Sequence, residues 1–275
     1  MRHLTSFTEH AESMAFVPTM GALHDGHLAL IKLARQFSEK VLVSIYVNPT
    51  QFESEEDLAK YPKTLANDLK LAASAGADWV WTPSVDEIYP EGIENVELVP
   101  AGPVGDLYEG ASRPNHFSGV LTVINRLFSI TKPRYAVFGE KDYQQLFLIK
   151  KFAQERFPDI KIINGETIRD PNGLALSSRN SRLTSVELEV ARVLPTIQRE
   201  VKSTHCICSS EIREVAHEVV NAQSGFTLDY LEVVDPATLL TVSDDFQGLV
   251  QVLFAGWIGS VRLIDNFSYE VKGQR

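Results

Sequence analysis

The segment F16-V-P-T-M-G-A-L-H-D-G-H27 is the most informative part of the sequence, because it joins a short apolar run to the start of a helical pattern. Residues 14–18 are typical of a buried strand. After the stretch, Leu30, Leu33, Ala34 and Phe37 follow the i, i+3, i+4, i+7 spacing of a helix with one apolar face. A strand that runs through a glycine-containing loop into a helix predicts the first half of a βαβ unit.

Further strand-like and helix-like segments alternate along the chain to about residue 152. The β-branched run 41–47 indicates a strand covered on both faces. This alternation predicts an α/β fold, a Rossmann-like doubly wound parallel sheet. The other segments are strands at 78–81 and 135–138 and helices at 64–75, 120–130 and 143–152.

The pattern changes after about residue 166, where helices come first and strands follow. Val186, Val190, Val193, Leu194, Ile197 and Val201 predict one amphipathic helix, and residues 210–222 a second. Strand-like runs follow at 227–234, 249–254 and 260–264. We therefore predict two domains, 1–168 with the Rossmann-like sheet and 169–275 as a smaller α+β domain.

Composition limits the class of protein. The chain has 275 residues, with 26 Lys+Arg against 36 Asp+Glu and a net charge of −10, which argues against nucleic acid and anionic membranes as partners. The longest mostly apolar stretch, residues 248–261, is shorter than the ~18 residues of a spanning helix. The start of the chain lacks the apolar region of a signal peptide. We expect a cytoplasmic protein with Cys206 and Cys208 as free thiols.

The loop of the opening stretch is a candidate anion site, since it lies at a predicted helix N-terminus. It does not match a P-loop, because His27 stands where the phosphate-binding lysine is required. Nor does it match G-x-G-x-x-G, and a zinc site would need a third ligand beside His24 and His27. The plain alternative is a pair of ordinary loop histidines.

Three other segments carry polar side chains near predicted strand ends or turns. N48-P-T-Q51 offers amides suited to a hydroxy acid, and G139-E-K-D142 offers a cation and a carboxylate that could hold Mg²⁺. S177-S-R179 offers two hydroxyls and a guanidinium that could clamp a triphosphate. The alternatives are a polar turn, an exposed Lys–Asp pair at a helix start, and a helix N-cap region.

Taken together, the motifs resemble the pantoate–β-alanine ligase family. They occur in family order as FVPTMGALHDGH, Y46-V-N-P-T-Q-F52, H116-F-S-G-V-L-T-V123, F138-G-E-K-D-Y-Q-Q-L146, L176-S-S-R-N180 and R262-L-I-D-N266. The H-D-G-H part also resembles the HIGH motif of class I adenylyl transferases and aminoacyl-tRNA synthetases. The resemblance covers nearly the whole chain.

The resemblance implies an ATP-dependent, AMP-forming condensation of pantoate with β-alanine through a pantoyl adenylate, with Mg²⁺ and in a homodimer. It implies a lid over ATP formed by residues 169–275, with S177-S-R179 resembling the mobile KMSKS loop. Pantoate would bind Gln51 and Gln145, with Asn48 in the same pocket, and Asp142 would bind the metal. The implied catalytic residues are His24, His27, Lys141 and Arg179. The implied ATP-binding residues are Met20, Gly21, Ala22, Leu23, His24, Asp25, Gly26, His27, Gly139, Glu140, Lys141, Asp142, Ile168, Leu176, Ser177, Ser178 and Arg179.

The chain departs from the family pattern at Leu176, Asn115 and Arg126, where Met, Gly and Lys are usual. These changes bear on local loop shape rather than on the reaction. Two other functions stay open: a nucleotidylyltransferase acting on another small acid or phosphate, and a non-catalytic nucleotide-binding regulator. The role of His27, as a proton donor or only as a stabiliser of phosphate charge, also stays open.

Overall fold

The computed structural model describes residues 1–8, 13–52, 58–59 and 61–272. The chain divides into two compact units, Met1–Thr167 and Ile168–Arg275. The first contains strands β1 (Arg2–Leu4), β2 (Met14–Thr19), β3 (Lys40–Ile45), β4 (Trp79–Trp81), β5 (Tyr135–Gly139) and β6 (Lys161–Gly165). Its helices are α1 (Asp25–Phe37), α2 (Leu65–Ala75), α3 (Val85–Ile88), α4 (Glu109–Ser112), α5 (His116–Thr131) and α6 (Tyr143–Arg156).

The first unit is built on one parallel sheet in the order β1-β4-β3-β2-β5-β6. From β2 the chain passes to β3 and β4 on one side, whereas β5 and β6 lie on the other. The direction of winding therefore reverses between β2 and β5, which pair through Ala15–Tyr135 and Phe16–Ala136. In sheets of this kind, ligands bind outside the carboxyl ends of the strands at that reversal. The predicted doubly wound fold is confirmed.

Apolar side chains cover both faces of this sheet. On one face, α1 and α2 bury residues such as Ile31 and Ala72 against Val43. On the other face, Leu42 packs in a cluster with Phe128 and Ile149 of α5 and α6. Adjacent residues of β3 thus point to opposite sides, as the pleat of a strand requires. This explains the near-continuous apolar sequence of the strand.

The second unit contains helices and an antiparallel sheet with its own core. Strands β7 (Phe226–Val234), β8 (Gly248–Ile258) and β9 (Val261–Val271) pair in that order. Helices α7 (Ser185–Ala191), α8 (Val193–Thr204) and α9 (Ser209–Ala222) precede them. Ile197, Ile212 and Phe254 are completely buried in a cluster formed by this unit.

The single helix predicted from Val186 to Val201 is wrong, because the chain forms α7 and α8 with a break at Arg192. Pro195 explains the break, since a proline lacks the amide proton that a continuous helix needs and is tolerated only in a first turn. Val186 does not belong to the buried face, because 73% of it is exposed. The short edge strands β1 and β6 escaped prediction, since neither carries a strong apolar alternation.

Both cysteines are free thiols, as predicted, with Cys206 buried. Among the described residues, no helix is long and apolar enough to cross a membrane.

Asn115 begins α5 in the left-handed conformation, with φ 62° and ψ −2°. Asparagine is one of the few side chains that adopts this conformation readily, so its presence where glycine is usual keeps the turn intact. We expect Asn115→Gly to leave the free energy of unfolding within about 0.5 kcal/mol of wild type, and Asn115→Ala to lower it by about 1 kcal/mol. Urea unfolding of the two variants checks this, and equal stabilities would contradict it.

Candidate active site

Three loops with polar motifs leave the carboxyl ends of three neighbouring strands. The loop after β2 leads into His24 and His27, the turn after β3 contains Gln51, and G139-E-K-D142 follows β5. Because β3, β2 and β5 are adjacent in the sheet, the three loops meet at the reversal of winding. The fold thus brings together residues that are more than 100 positions apart in the sequence, as between His27 and Lys141.

The two histidines close the N-terminus of α1 by capping each other's backbone. Nδ1 of His24 accepts the amide of Gly26 at 3.2 Å, and Nδ1 of His27 accepts the amide of His24 at 3.3 Å. An amide can only donate, so neither Nδ1 carries a proton in this arrangement. Both rings, 4.2 Å apart between centroids, are therefore held as the neutral tautomer with the proton on Nε2.

The electrostatics agree with neutral rings. Burial, with the neighbouring His24 as the second cause, lowers the pKa of His27 from 6.5 to about 3. Burial also lowers the pKa of His24, with Lys141 as the second cause. Asp142 acts on both rings in the opposite direction, so these two residues of the GEKD segment lie within electrostatic reach of both histidines.

The pKa of His27 leads to a prediction about stability. The unfolded chain takes up a proton near pH 6.5 that the folded chain binds only near pH 3. The contribution of neutral His27 is therefore complete above pH 6.5 and is lost as the pH falls towards 3, by up to about 1.4 kcal/mol per pH unit. We expect His27→Gln to flatten the fall in stability over this range. Urea unfolding at several pH values measures it, with exposed His217→Gln as the control; equal slopes for His27→Gln and wild type would contradict it.

Most amides of the opening loop already have acceptors within the protein. Gly21 donates to the hydroxyl of Thr19 at 3.2 Å, while Ala22 and Leu23 donate to the carboxylate of Asp68. The capping bonds use two more amides. An anion at this loop would therefore meet the Nε2–H groups of the histidines. The sequence had instead suggested an anion bound by the free backbone amides of a helix N-terminus.

The turn after β3 is fixed by a buried polar network. Asn48 accepts the hydroxyl of Tyr89 at 2.8 Å and donates to Gln51 Oε1 at 3.3 Å. The backbone carbonyl of Gln51 is 2.9 Å from Nδ1 of His116. Gly119 permits this packing, since a Cβ there would lie 2.2 Å from the carbonyl oxygen of Thr50. The Gln51 amide also contacts the sulfur of Met20, which joins this turn to the loop after β2.

The segment after β5 supplies the charged groups. Nζ of Lys141 is 3.8 Å from Asp142, whose side chain is about half exposed. Glu140 accepts the side-chain amide of Asn164 at 3.0 Å. Gln145 is half-buried in the first turn of α6, whereas neighbouring Gln144 is buried and donates to the carbonyls of Val104 and Leu107. Asp25, the first residue of α1, is exposed.

The remaining predicted residues belong to the second unit. The amide of Leu176 donates to the carbonyl of Ile168 at 2.9 Å. Ser177 caps a short 3₁₀ turn, Ser178–Arg182, by accepting the amide of Arg179. The bidentate pair of Arg169 with buried Asp265, at 2.6 and 2.8 Å, anchors the start of this segment. That Ser177, Ser178 and Arg179 bind ATP stays a prediction.

Asp68 is a residue of this site that motif analysis missed. The sequence did carry a signal for Asp68, because Asp68, Ala72 and Ala75 recur at helical spacing and form the buried face of α2. A carboxylate in an apolar stripe indicates a specific set of hydrogen bonds.

The fold and these loops define a nucleotide-binding α/β enzyme of the class that carries an H-x-G-H sequence at the start of its first helix. The pantoate-beta-alanine ligase family model matches residues 1–268. The pantothenate synthetase of Aeromonas hydrophila is 43% identical over 258 residues, covering 92% of this chain and 90% of its own. The chain therefore belongs to the pantoate–β-alanine ligase family, and the predicted ATP-dependent ligase activity is confirmed at family level.

Solved structures agree with this assignment. The pantothenate synthetase of Thermus thermophilus superposes with a TM-score of 0.90 and 40% identity, over 99% of this chain and 100% of that one. The Francisella tularensis pantoate-beta-alanine ligase, in complex with beta-gamma ATP and beta-alanine, has a TM-score of 0.75 and 40% identity. It covers 93% of this chain and 89% of its own.

Proposed function

We propose that this chain makes pantothenate in two steps. The pantoate carboxylate attacks the α-phosphorus of ATP, which breaks the bond to the β,γ-phosphates and releases pyrophosphate. The amine of β-alanine then attacks the acyl carbon of pantoyl adenylate, forms the amide, loses a proton and releases AMP. Activation is needed because AMP is a far better leaving group than the oxide ion that a free carboxylate would have to lose.

The observation that carries this proposal is the meeting of three loops at the reversal of winding. The histidine loop and the GEKD loop supply donors and positive charge for phosphates, and the adjacent turn supplies the Gln51 amide for a hydroxy acid. Gln51 touches Met20 of the histidine loop. A carboxylate held at this turn would thus lie beside a nucleotide held at the histidine loop, as an attack on the α-phosphorus requires.

Because His24 and His27 are neutral, we assign the H-D-G-H sequence a role in hydrogen bonding to the phosphates. Each ring presents Nε2–H to an anion without adding a full charge, while Lys141 supplies the positive charge. Donors fixed before the reaction stabilise developing phosphate charge without reorganisation. We therefore assign His27 the role of a hydrogen-bond donor rather than a proton donor. The adenylate carries the activation, so no covalent bond to the enzyme is needed.

Mg²⁺ fits the donors of this site as a companion of ATP. Among the residues described, no group of three His, Cys, Asp or Glu side chains could hold a metal by itself. Mg²⁺ commonly uses one or two carboxylates, substrate phosphates and water, so the half-exposed Asp142 is a suitable protein ligand. Bound there, the ion would neutralise phosphate charge.

Three further assignments extend the proposal. Ser177, Ser178 and Arg179 bind the ATP phosphates as a mobile lid, the enzyme is a homodimer, and it works in the cytoplasm. Hydrogen exchange that stays unchanged at residues 177–179 on adding ATP and pantoate would refute the lid. A monomeric mass by light scattering would refute the dimer.

Isotope transfer tests the reaction itself. Pantoate labelled with ¹⁸O in its carboxylate is incubated with ATP, Mg²⁺ and β-alanine, and the nucleotide product is analysed by mass spectrometry. The adenylate route predicts AMP as product with one ¹⁸O in its phosphate. ADP as the nucleotide product, or unlabelled AMP, would exclude attack by pantoate on the α-phosphorus.

A further inference from the structure

Asp68 connects helix α2 to the loop that precedes the histidines. Its side chain is buried, with 1% of the residue exposed. Oδ1 accepts the amide of Leu23 at 2.8 Å, and Oδ2 accepts the amide of Ala22 at 3.1 Å. The carboxylate thus holds two successive peptide groups, directly before His24.

The carboxylate is held in turn from its own helix. The hydroxyl of Thr64 lies 3.2 Å from Oδ1 and 3.1 Å from Oδ2. Asp68 also lies in the first turn of α2, where the helix dipole favours negative charge. Hydrogen bonds to an ionised acceptor are stronger than those between neutral groups, so the contact is a rigid one.

The loop needs such a contact because its backbone is unfavourable. Gly21 has φ 85° and Ala22 has φ 50°, both in the left-handed region that an alanine rarely adopts. A Cβ at Gly21 would lie 3.1 Å from Oδ2 of Asp68, so the carboxylate packs closely against the turn. Conformations of this kind persist only where surrounding groups impose them.

We propose that Asp68 is a positioning residue for catalysis: it fixes the left-handed turn at Gly21 and Ala22 and thereby sets His24 at the N-terminus of α1. The proposal rests on the proposed function. In this role Asp68 would act through the loop backbone and not by contact with ATP or pantoate. It also keeps the amides of Ala22 and Leu23 from phosphate, which leaves the histidine Nε2–H groups as the donors.

Two substitutions test this. Asp68→Asn keeps the size but replaces one acceptor oxygen by an NH₂ group, which cannot accept a backbone amide. Thr64→Val keeps both loop bonds and removes only the supporting hydroxyl. Asp86→Asn is the matched control, since Asp86 is an exposed aspartate in the first turn of α3.

The rate of pantoate-dependent ATP–pyrophosphate exchange is measured at varied ATP, pantoate and Mg²⁺. We expect Asp68→Asn to lower kcat by about 100-fold, because a catalytic group displaced by about 1 Å costs that much. The KM for pantoate and the half-saturating Mg²⁺ concentration should stay within about twofold of wild type. Thr64→Val should lower kcat about fivefold, and Asp86→Asn should match wild type.

The imidazole ¹⁵N signals of His24 supply a readout that does not depend on turnover. In wild type they should show a single tautomer with the proton on Nε2, and in Asp68→Asn a mixture. Unchanged His24 signals in Asp68→Asn would overturn the proposal, and so would a raised Mg²⁺ requirement, which would make Asp68 a metal ligand. If Asp68→Asn does not fold, wild-type kcat in Thr64→Val would overturn it. If the wild-type enzyme shows no exchange, the proposed function is refuted. The ¹⁵N signals of His24 in wild type and Asp68→Asn would still test whether Asp68 positions His24.

Discussion

Gly26→Ala should inactivate the enzyme without destabilising it. Gly26 lies in the first turn of α1, where alanine is a better helix former by about 1 kcal/mol. A Cβ there would lie 2.9 Å from Cε1 and 3.0 Å from Nδ1 of His24, so the ring must move. We expect the rate of ATP–pyrophosphate exchange to fall about 100-fold. The urea midpoint should stay equal to that of wild type or rise.

A double-mutant cycle with His24→Ala identifies the cause. If Gly26 acts only by leaving room for the His24 ring, Gly26→Ala should cost nothing further in the His24→Ala background. A full additional 100-fold loss there would mean that the new methyl group obstructs ATP directly, which would contradict this explanation.

His27→Ala should strongly lower the rate of adenylate formation. The substitution removes an Nε2–H donor and also the acceptor of the His24 amide. Removal of one fixed donor to a developing anion costs about 10²–10³-fold in rate. We expect a loss of this size in the exchange rate, measured with His217→Ala, an exposed histidine, as the control.

His27→Gln separates the two possible roles of His27. Glutamine can place an N–H donor near the position of Nε2 but cannot give up a proton. A hydrogen-bond donor role predicts activity within about tenfold of wild type. It also predicts a wild-type rate that stays level as the pH rises through 6.5, because His27 of the folded enzyme is already neutral there. Activity as low as that of His27→Ala would show that the proton itself is required.

The sequence was sufficient for the four central strands of the parallel sheet and for the position of the motif segments at their ends, because both depend on local patterns. The apolar run of β3 and the spacing of Leu30, Leu33 and Phe37 each specify their element directly. The H-D-G-H and G-E-K-D segments follow strands, so the carboxyl edge of the sheet collects them.

What the sequence could not supply depends on contacts between distant segments. The bonds from Ala22 and Leu23 to Asp68 span more than 40 residues, and they remove the very amides that a helix N-terminus would offer to an anion. The tautomers of His24 and His27 follow from Nδ1 contacts that spacing alone does not fix. Pro195 indicated the break between α7 and α8. The apolar spacing that continues across the break favoured a single helix, and the prediction followed that spacing.

ATP–pyrophosphate exchange tests the proposed ligase activity, with labelled pyrophosphate, ATP and Mg²⁺, with and without pantoate, and with β-alanine absent. We expect exchange that requires pantoate and that no unrelated hydroxy acid supports. Absence of exchange, together with absence of AMP when β-alanine is added, would contradict it and leave a nucleotide-binding protein without ligase activity.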